Sequence, residues 1–340
     1  MIRKNVWARA AIVAAAGALL LAVALGLLQR DEAARYRETR GTMTEGFGQL
    51  KTVTVDGVTY QEKPAVMTML IAGIDRPIET EEEEKDGATL NYRDGGQADF
   101  LLLLAIDHTE KKIHQLQIDR DTMCEIDILG VFGNEAGQRT AQICLAHRYG
   151  ATAKDNAKYT IRAVERLLDG VQIDGYYMMD YGAIGELNDA LGGITVNVDF
   201  DMTNVNALWT AGSRVTLHGK EAEDFVRSRM TVGEGTNVER MARQNEFMKN
   251  AIATMKQKTR SDLSFGENLL RQMEKKSVTN MTVRALAEEL SQSADYETGA
   301  VEYLPGEHRI GPEGYMEFHM EDGAAAAWVL EHLYTRKAEE

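Results

Sequence analysis

Three apolar runs constrain the fold more than any other feature of the sequence: Val66 to Gly73, Phe100 to Ile106 and Ile113 to Ile118. Each is short and continuously apolar, which suits a buried strand. The second and third are joined only by Asp107 to Lys112, so they are expected to pair as an antiparallel hairpin. Placing Ile106 opposite Ile113 places Asp99 opposite Arg120. If the run 66–73 lies antiparallel to 100–106, Asp75 arrives at the same edge. Ligands of open α/β sheets sit at such strand ends. Taken singly, Asp75 or Asp99 reads more readily as a turn or capping residue than as a ligand-binding one. Asp119 and Asp121 flank Arg120, and alternation points them to other faces.

Further along, residues 155–169 carry Ile161, Val164, Leu167 and Leu168 at helical spacing, with Gly170 beyond the end. Tyr176 to Met179 reads as a strand, 181–191 as a helix closed by Gly192 and Gly193, and Ile194 to Val198 as a strand. Residues 217–227 and 238–258 read as helices. The second has an apolar stripe of Val238, Met241, Met248, Ile252 and Met255. Two amphipathic helices (261–275 and 281–293), strands at 299–304 and 315–320 and a last helix at 322–336 complete the chain. Strands alternating with helices predict an α/β fold, an α-β-α sandwich with a central mixed sheet flanked by helices.

The N-terminus has a different character. Residues 10–29 are a run of 20 without charge, preceded by Arg3, Lys4 and Arg9. That is long enough to cross a bilayer once, with residues 1–9 in the cytoplasm and the remainder outside. Ala22 to Ala24 resembles a signal-peptide cleavage site, the alternative to an uncleaved anchor. Residues 30–64 then read as an extracellular stalk, with a short hairpin around Asp56 and Gly57. The folded domain is expected over 65–258, with 259–340 packed on it.

Composition narrows the function. The 340-residue chain has a formal net charge of −15 and no basic tail, which argues against nucleic acid. Cys124 and Cys144 fit no metal spacing, and they form either a disulfide or two free thiols. The seven histidines show no H-E-x-x-H motif or close pair. Against this acidic background, Arg227, Arg229, Arg240 and Arg243 cluster within 225–244. Guanidinium forks suit phosphate and carboxylate oxygens, although any one of these arginines taken alone reads more readily as the partner of a surface carboxylate. Arg240, Arg243 and Gln244 share a helix face at the first turns of 238–258, where spare N–H groups and the helix dipole favour an anion.

The stretches M-L-I-A-G-I-D-R (69–76), G-G-Q-A-D-F (95–100), Q-I-D-R-D-T (117–122), L-G-G-I-T-V (191–196), L-H-G-K-E-A-E-D-F-V-R-S-R (217–229) and N-V-E-R-M-A-R-Q (237–244) resemble, in order, the LytR-CpsA-Psr family of cell-envelope proteins. The resemblance implies a phosphotransferase of the cell membrane, single-pass with its C-terminal domain extracellular. It would move a glycopolymer (teichoic acid or capsular polysaccharide) from an undecaprenyl-diphosphate lipid onto peptidoglycan. By position it implies that Asp75 and Asp99 hold Mg²⁺ or Mn²⁺. It also implies that Arg76, Arg120, Arg227, Arg229, Arg240, Arg243 and Gln244 bind the diphosphate, with Arg120, Asp99 and Asp75 central to catalysis. Strands 66–73 and 100–106 with helix 238–258 could line a pocket for the lipid tail, although a plain core explains the same residues. A weakened lipid- or polymer-binding protein and a polyprenyl-diphosphate phosphatase are the competing functions. The chain departs from the family at Gln97, Ala98, Asp119 and Asn237, where Arg, Ser, Pro and Asp are usual.

Overall fold

The computed structural model describes residues 50–78, 95–130, 135–228, 232–233, 236–262, 264–293 and 295–337. The apolar run at 10–29 and Arg229 lie outside them. Among the described residues no helix is long and apolar enough to cross a membrane.

The strands in chain order are β1 (Thr52–Val55), β2 (Val58–Glu62), β3 (Val66–Ile74), β4 (Ala98–Asp107), β5 (Lys112–Ile118), β6 (Met123–Leu129), β7 (Glu135–Gln142), β8 (Gly175–Asp180), β9 (Ile194–Asn197), β10 (Arg214–Leu217), β11 (Ser277–Thr279), β12 (Glu297–Tyr303), β13 (Gly306–Ile310), β14 (Met316–Met320) and β15 (Tyr334–Arg336). The helices are α1 (Ala153–Leu167), α2 (Gly182–Ala190), α3 (Lys220–Arg227), α4 (Asn237–Ser261), α5 (Phe265–Met273), α6 (Val283–Gln292) and α7 (Ala324–Leu333).

The central sheet is mixed, ordered β11-β8-β3-β4-β5-β12. β3 pairs antiparallel with β4 and parallel with β8, and β12 runs parallel to β5. Both faces are covered, which explains why β3 and β4 are apolar at nearly every position rather than at alternate ones. Met69, Ile71, Leu102 and Leu104 point to a core with α2 to α6, whereas Leu70, Ala72, Leu101 and Leu103 point to a core with α1 and α7. The expected hairpin forms with Ile106 opposite Ile113 and Leu101 opposite Ile118.

Several elements differ from the sequence reading. The helix expected at 217–227 begins only at Lys220, because residues 214–217 pair with β9. The helix expected to run to residue 336 stops at Leu333, and β15 pairs with β2. Residues 52–62 are therefore tied to the C-terminal end of the domain. Val238 is 59% exposed, since it lies in the first turn of α4 away from the core that buries Met241, Met248 and Met255. The β6–β7 and β13–β14 hairpins were not expected, because β7 (EAGQRTAQ) is exposed along most of its length and carries no apolar alternation. Phe247, Met248, Ala251 and Met255 of α4 pack in one core cluster with Met69 and Ile71 of β3 and Leu102 and Leu104 of β4. A cavity of about 400 Å³ lies elsewhere, lined by Tyr177, Leu270, Arg271, Met281 and Leu286 among others.

Replacing Ile71, which is fully buried, with alanine should cost about 2–5 kcal/mol in urea denaturation. Leu208→Ala, at a site 77% exposed, should stay within about 0.5 kcal/mol. Equal effects at the two positions would contradict the two-faced core.

Candidate functional site

The edge where β3 ends and β4 begins carries the chemistry. The β3–β4 ladder pairs Gly73 with Phe100 but Ile74 with Ala98, so Asp99 is the extra residue of a β-bulge. A bulge bends the strand and re-aims the side chain at the irregularity. Here it accompanies a fully packed aspartate: Asp99 is 4% exposed, and its carboxylate pairs with the Arg120 guanidinium. Arg120 follows β5, and continuing the ladder register beyond Leu101–Ile118 brings the two residues opposite each other.

Four groups hold Arg120. Besides Asp99, its Nε lies 3.3 Å from Asp121 Oδ1, and its Nη2 donates to Gln97 Oε1 and, at 3.0 Å, to Cys144 Sγ. Burial opposes the Arg120 charge, but Asp99 and its other acidic neighbours outweigh that and hold the guanidinium protonated above its ordinary value. Asp121 was expected on another face. It lies on this one because residues 119–122 form a turn, in which Thr122 N donates to Asp119 O and Asp121 N donates to Asp119 Oδ1. Cys144 lies in a short 3₁₀ segment, Ile143–His147, and both cysteines are free and buried. Burial pushes the Cys144 thiol up to about 12, so it stays protonated beside Arg120.

Asp75, also buried, accepts from Gln97 N at 2.7 Å. The intervening Gly96 has φ +85°, and a Cβ there would meet Asp75 Oδ1 at 2.7 Å, so glycine is required for the loop to close over the carboxylate. Arg76 is half-buried against the same glycine.

Burial pushes the Asp99 carboxyl up to about 7, with Arg120 and Arg240 pulling the other way and Asp75 and Asp121 adding to the rise. Its Oδ2 is buried with no hydrogen-bond partner among the described residues. A carboxylate cluster with an unsatisfied buried oxygen is short of positive charge. Carboxylate oxygens are the ligands of a hard divalent cation, so Asp75 and Asp99 fit Mg²⁺ or Mn²⁺.

The described arginines of residues 225–244, Arg227, Arg240 and Arg243, have different partners. Arg240, 1% exposed, reaches the acidic edge: it acts on Asp99, and its Nη2 donates to Asn237 Oδ1. Asn237 Nδ2 donates to Asp119 Oδ1 at 2.7 Å, and His308 Nε2 lies 2.8 Å from Asp119 Oδ2. Asp119 and Asn237 are thus partners, joined to a histidine of β13. Sequence reasoning missed His308, since nothing near it in the chain points to Asp119. Arg243 instead donates through Nε to Phe225 O and through Nη2 to Ser228 O, and Gln244 Nε2 lies 3.5 Å from Val226 O. These two residues brace the end of α3. Arg243 Nη1 remains buried without a hydrogen-bond partner among the described residues, and burial brings the guanidinium down to about 10. Arg227 pairs with Glu223 and lies over the Tyr181 ring, 4.8 Å from its centroid. The N-terminus of α4 that carries Arg240 is capped by Thr236, whose side chain accepts from Glu239 N at 3.2 Å.

The Asp119 carboxyl sits below its ordinary value. Burial works against ionisation, but donors from His308, Asp121 N and Asn237 outweigh it. A depressed carboxyl stabilises the fold above its unfolded pKa and loses that contribution as pH falls through its folded pKa. Asp119→Asn should therefore cost about 1–3 kcal/mol at pH 7. The gap to the parent protein should narrow as pH drops below about 4 in urea titrations. A gap independent of pH would contradict the assignment.

The LytR_cpsA_psr family profile matches residues 34–326. Among curated relatives, the polyisoprenyl-teichoic acid–peptidoglycan teichoic acid transferase TagU of Oceanobacillus iheyensis is 28% identical over 199 residues, covering 57% of this chain and 52% of the relative. The chain spans about half the length of the curated relatives it matches first. Among solved structures, that of B. subtilis TagV aligns with TM-score 0.57 and 22% identity, covering 79% of this chain and 97% of that one. That of TagT bound to LI-WTA aligns with TM-score 0.56 and 17% identity, covering 79% and 91%. At those identities the structural likeness speaks for the fold alone, a central mixed sheet flanked by helices. The profile match extends over most of the sequence, and on that ground the chain belongs to the LytR_cpsA_psr family.

Proposed function

We propose that this protein is a phosphotransferase that moves a glycopolymer from a polyprenyl-diphosphate carrier to peptidoglycan in cell-wall assembly. The observation that carries the reading is the buried edge where Asp99, at the bulge of β4, meets Arg120, with Asp75 and Arg240 acting on the same carboxylate. The family's relatives named as teichoic acid transferases support it.

Phosphoryl transfer asks a protein for alignment and charge neutralisation more than for covalent chemistry. The acceptor sugar's hydroxyl oxygen forms a bond to the polymer-side phosphorus. The bridging P–O bond breaks, and polyprenyl phosphate leaves with the electron pair while the hydroxyl proton is released. Arg120 and Arg240, permanently charged and fixed by packing, would neutralise the oxygens that gain charge. Gln97 and Cys144 hold the Arg120 fork in place. Asp75 and Asp99 would hold Mg²⁺ or Mn²⁺, whose chemistry when bound is Lewis-acid polarisation of a phosphate oxygen. Arg243 and Gln244 act on this reading by fixing the backbone of residues 225–228, with Arg243 Nη1 the donor left to reach an anion. Arg76, Arg227 and Arg229 belong to the same proposed set.

Residues 10–29 are proposed as the anchor that holds this domain at the outer face of the cell membrane, beside a lipid-borne donor. Their uncharged length and the basic flank Arg3, Lys4 and Arg9 support this.

With full-length protein, a polyprenyl-diphosphate-linked polymer, Mg²⁺ and a peptidoglycan acceptor, Arg120→Ala should lower formation of the phosphodiester product by about 100-fold or more. Release of polyprenyl phosphate without a joined product would favour hydrolysis. Unchanged turnover in the variant would remove Arg120 from the mechanism.

A further inference from the structure

The seven histidines are scattered in the sequence, but the fold gathers two of them with a glutamate away from the Asp99 edge. His114 lies on β5, Glu302 on β12 and His332 on α7. The sheet explains the meeting. In the parallel β5–β12 ladder, Leu116 is opposite Glu302. Partners across a ladder share a face, as do residues two apart on one strand. His114 therefore shares the face of Leu116 and Glu302, the face that α7 covers with Ala325, Trp328 and Val329. His332 follows Trp328 by one helical turn, which keeps it on the sheet-facing side.

One ligand atom from each of the three residues lies within 4.8 Å of the other two. His332 Nε2 is 3.0 Å from Glu302 Oε2, and the His114 and His332 ring centroids are 4.3 Å apart. His114 Nε2 is buried and has no hydrogen-bond partner among the described residues. Trp328 Nε1 donates to Glu302 Oε2 at 3.1 Å, the kind of outer contact that orients a ligating carboxylate. The His332 side chain is 8% exposed but that of Glu302 is 39% exposed, which leaves a path from solvent.

We propose that His114, Glu302 and His332 form a binding site for a divalent transition-metal ion of the zinc class, separate from the Asp75–Asp99 edge. Two imidazoles and one carboxylate are a zinc donor set, and imidazole nitrogen discriminates against Mg²⁺. Zinc–ligand bonds of about 2.0–2.2 Å put tetrahedral ligands roughly 3.3 Å apart. The His332–Glu302 spacing of 3.0 Å is already near that value, and the three ligand atoms lie within 4.8 Å of one another. Arg120 lies six residues further along than His114, roughly 20 Å of extended chain, so the two sites do not share ligands. The ion acts as a clasp. It joins the β5–β12 edge to α7, which runs directly into β15 and so to the β1–β2 hairpin that follows the N-terminal segment.

The test is titration of chelator-stripped full-length protein with Zn²⁺ in excess Mg²⁺, followed by calorimetry and thermal unfolding. The proposal expects one Zn²⁺ per chain, bound at micromolar concentration or tighter, and a rise in Tm of roughly 3–8 °C at saturating Zn²⁺. His114→Gln should weaken binding at least about tenfold, whereas Asp75→Asn should leave it unchanged. Metal-free Tm checks the folding of each variant. Should His114→Gln fail to fold, Glu302→Gln, at the more exposed ligand, carries the same readout. Zn²⁺ binding no tighter than millimolar in the parent protein, or binding by the folded variant equal to the parent's, overturns the proposal.

Discussion

A buried ion pair, Asp99 with Arg120, organises the site edge of this protein. Removing one partner of such a pair strands a charge in the interior, typically at a cost of about 3–5 kcal/mol. The surroundings are built to keep both. The bulge in β4 places Asp99 at the sheet edge, and the hairpin register brings Arg120 opposite it. Gln97, Asp121 and Cys144 then occupy the remaining faces of the guanidinium. Even so, burial drives Asp99 up to about 7 and leaves its Oδ2 without a hydrogen bond among the described residues. That unsatisfied oxygen is the feature on which the proposed cation site rests.

Much of this was legible in the sequence for a simple reason. Apolar runs buried on both faces leave little choice of element, and a six-residue connection leaves little choice of pairing. The placement of Asp99 opposite Arg120 follows from counting along that hairpin. Other features depend on contacts that no local pattern encodes. The bulge shifts one residue within an otherwise regular ladder. The turn at 119–122 brings Asp121 onto Arg120 against the strand alternation. β7 is a polar strand recognisable only through its pairing with β6. His308 reaches Asp119 from a hairpin almost two hundred residues away.

The arginine-rich stretch 225–244 shows how composition and geometry part company. Its arginines look equivalent in sequence, but they are not in space. Arg240 reaches the acidic edge, while Arg243 and Gln244 are committed largely to backbone carbonyls of residues 225–228. Arg227 is held by Glu223 and Tyr181. Asn237 bridges Asp119 and Arg240, so a neutral amide separates a carboxylate from a guanidinium. Gln97 is neutral and serves this edge as an acceptor for Arg120.

The most direct measurement of the central claim is equilibrium binding of a short-chain polyprenyl diphosphate to the full-length protein, with and without Mg²⁺, for the parent chain and Asp99→Asn. If Asp99 and Asp75 hold a cation against the diphosphate beside Arg120, Mg²⁺ should tighten binding by at least about tenfold in the parent, some 1.4 kcal/mol. It should do little in the variant. Binding that ignores Mg²⁺ in the parent, or an Mg²⁺ effect that survives Asp99→Asn, would contradict the account.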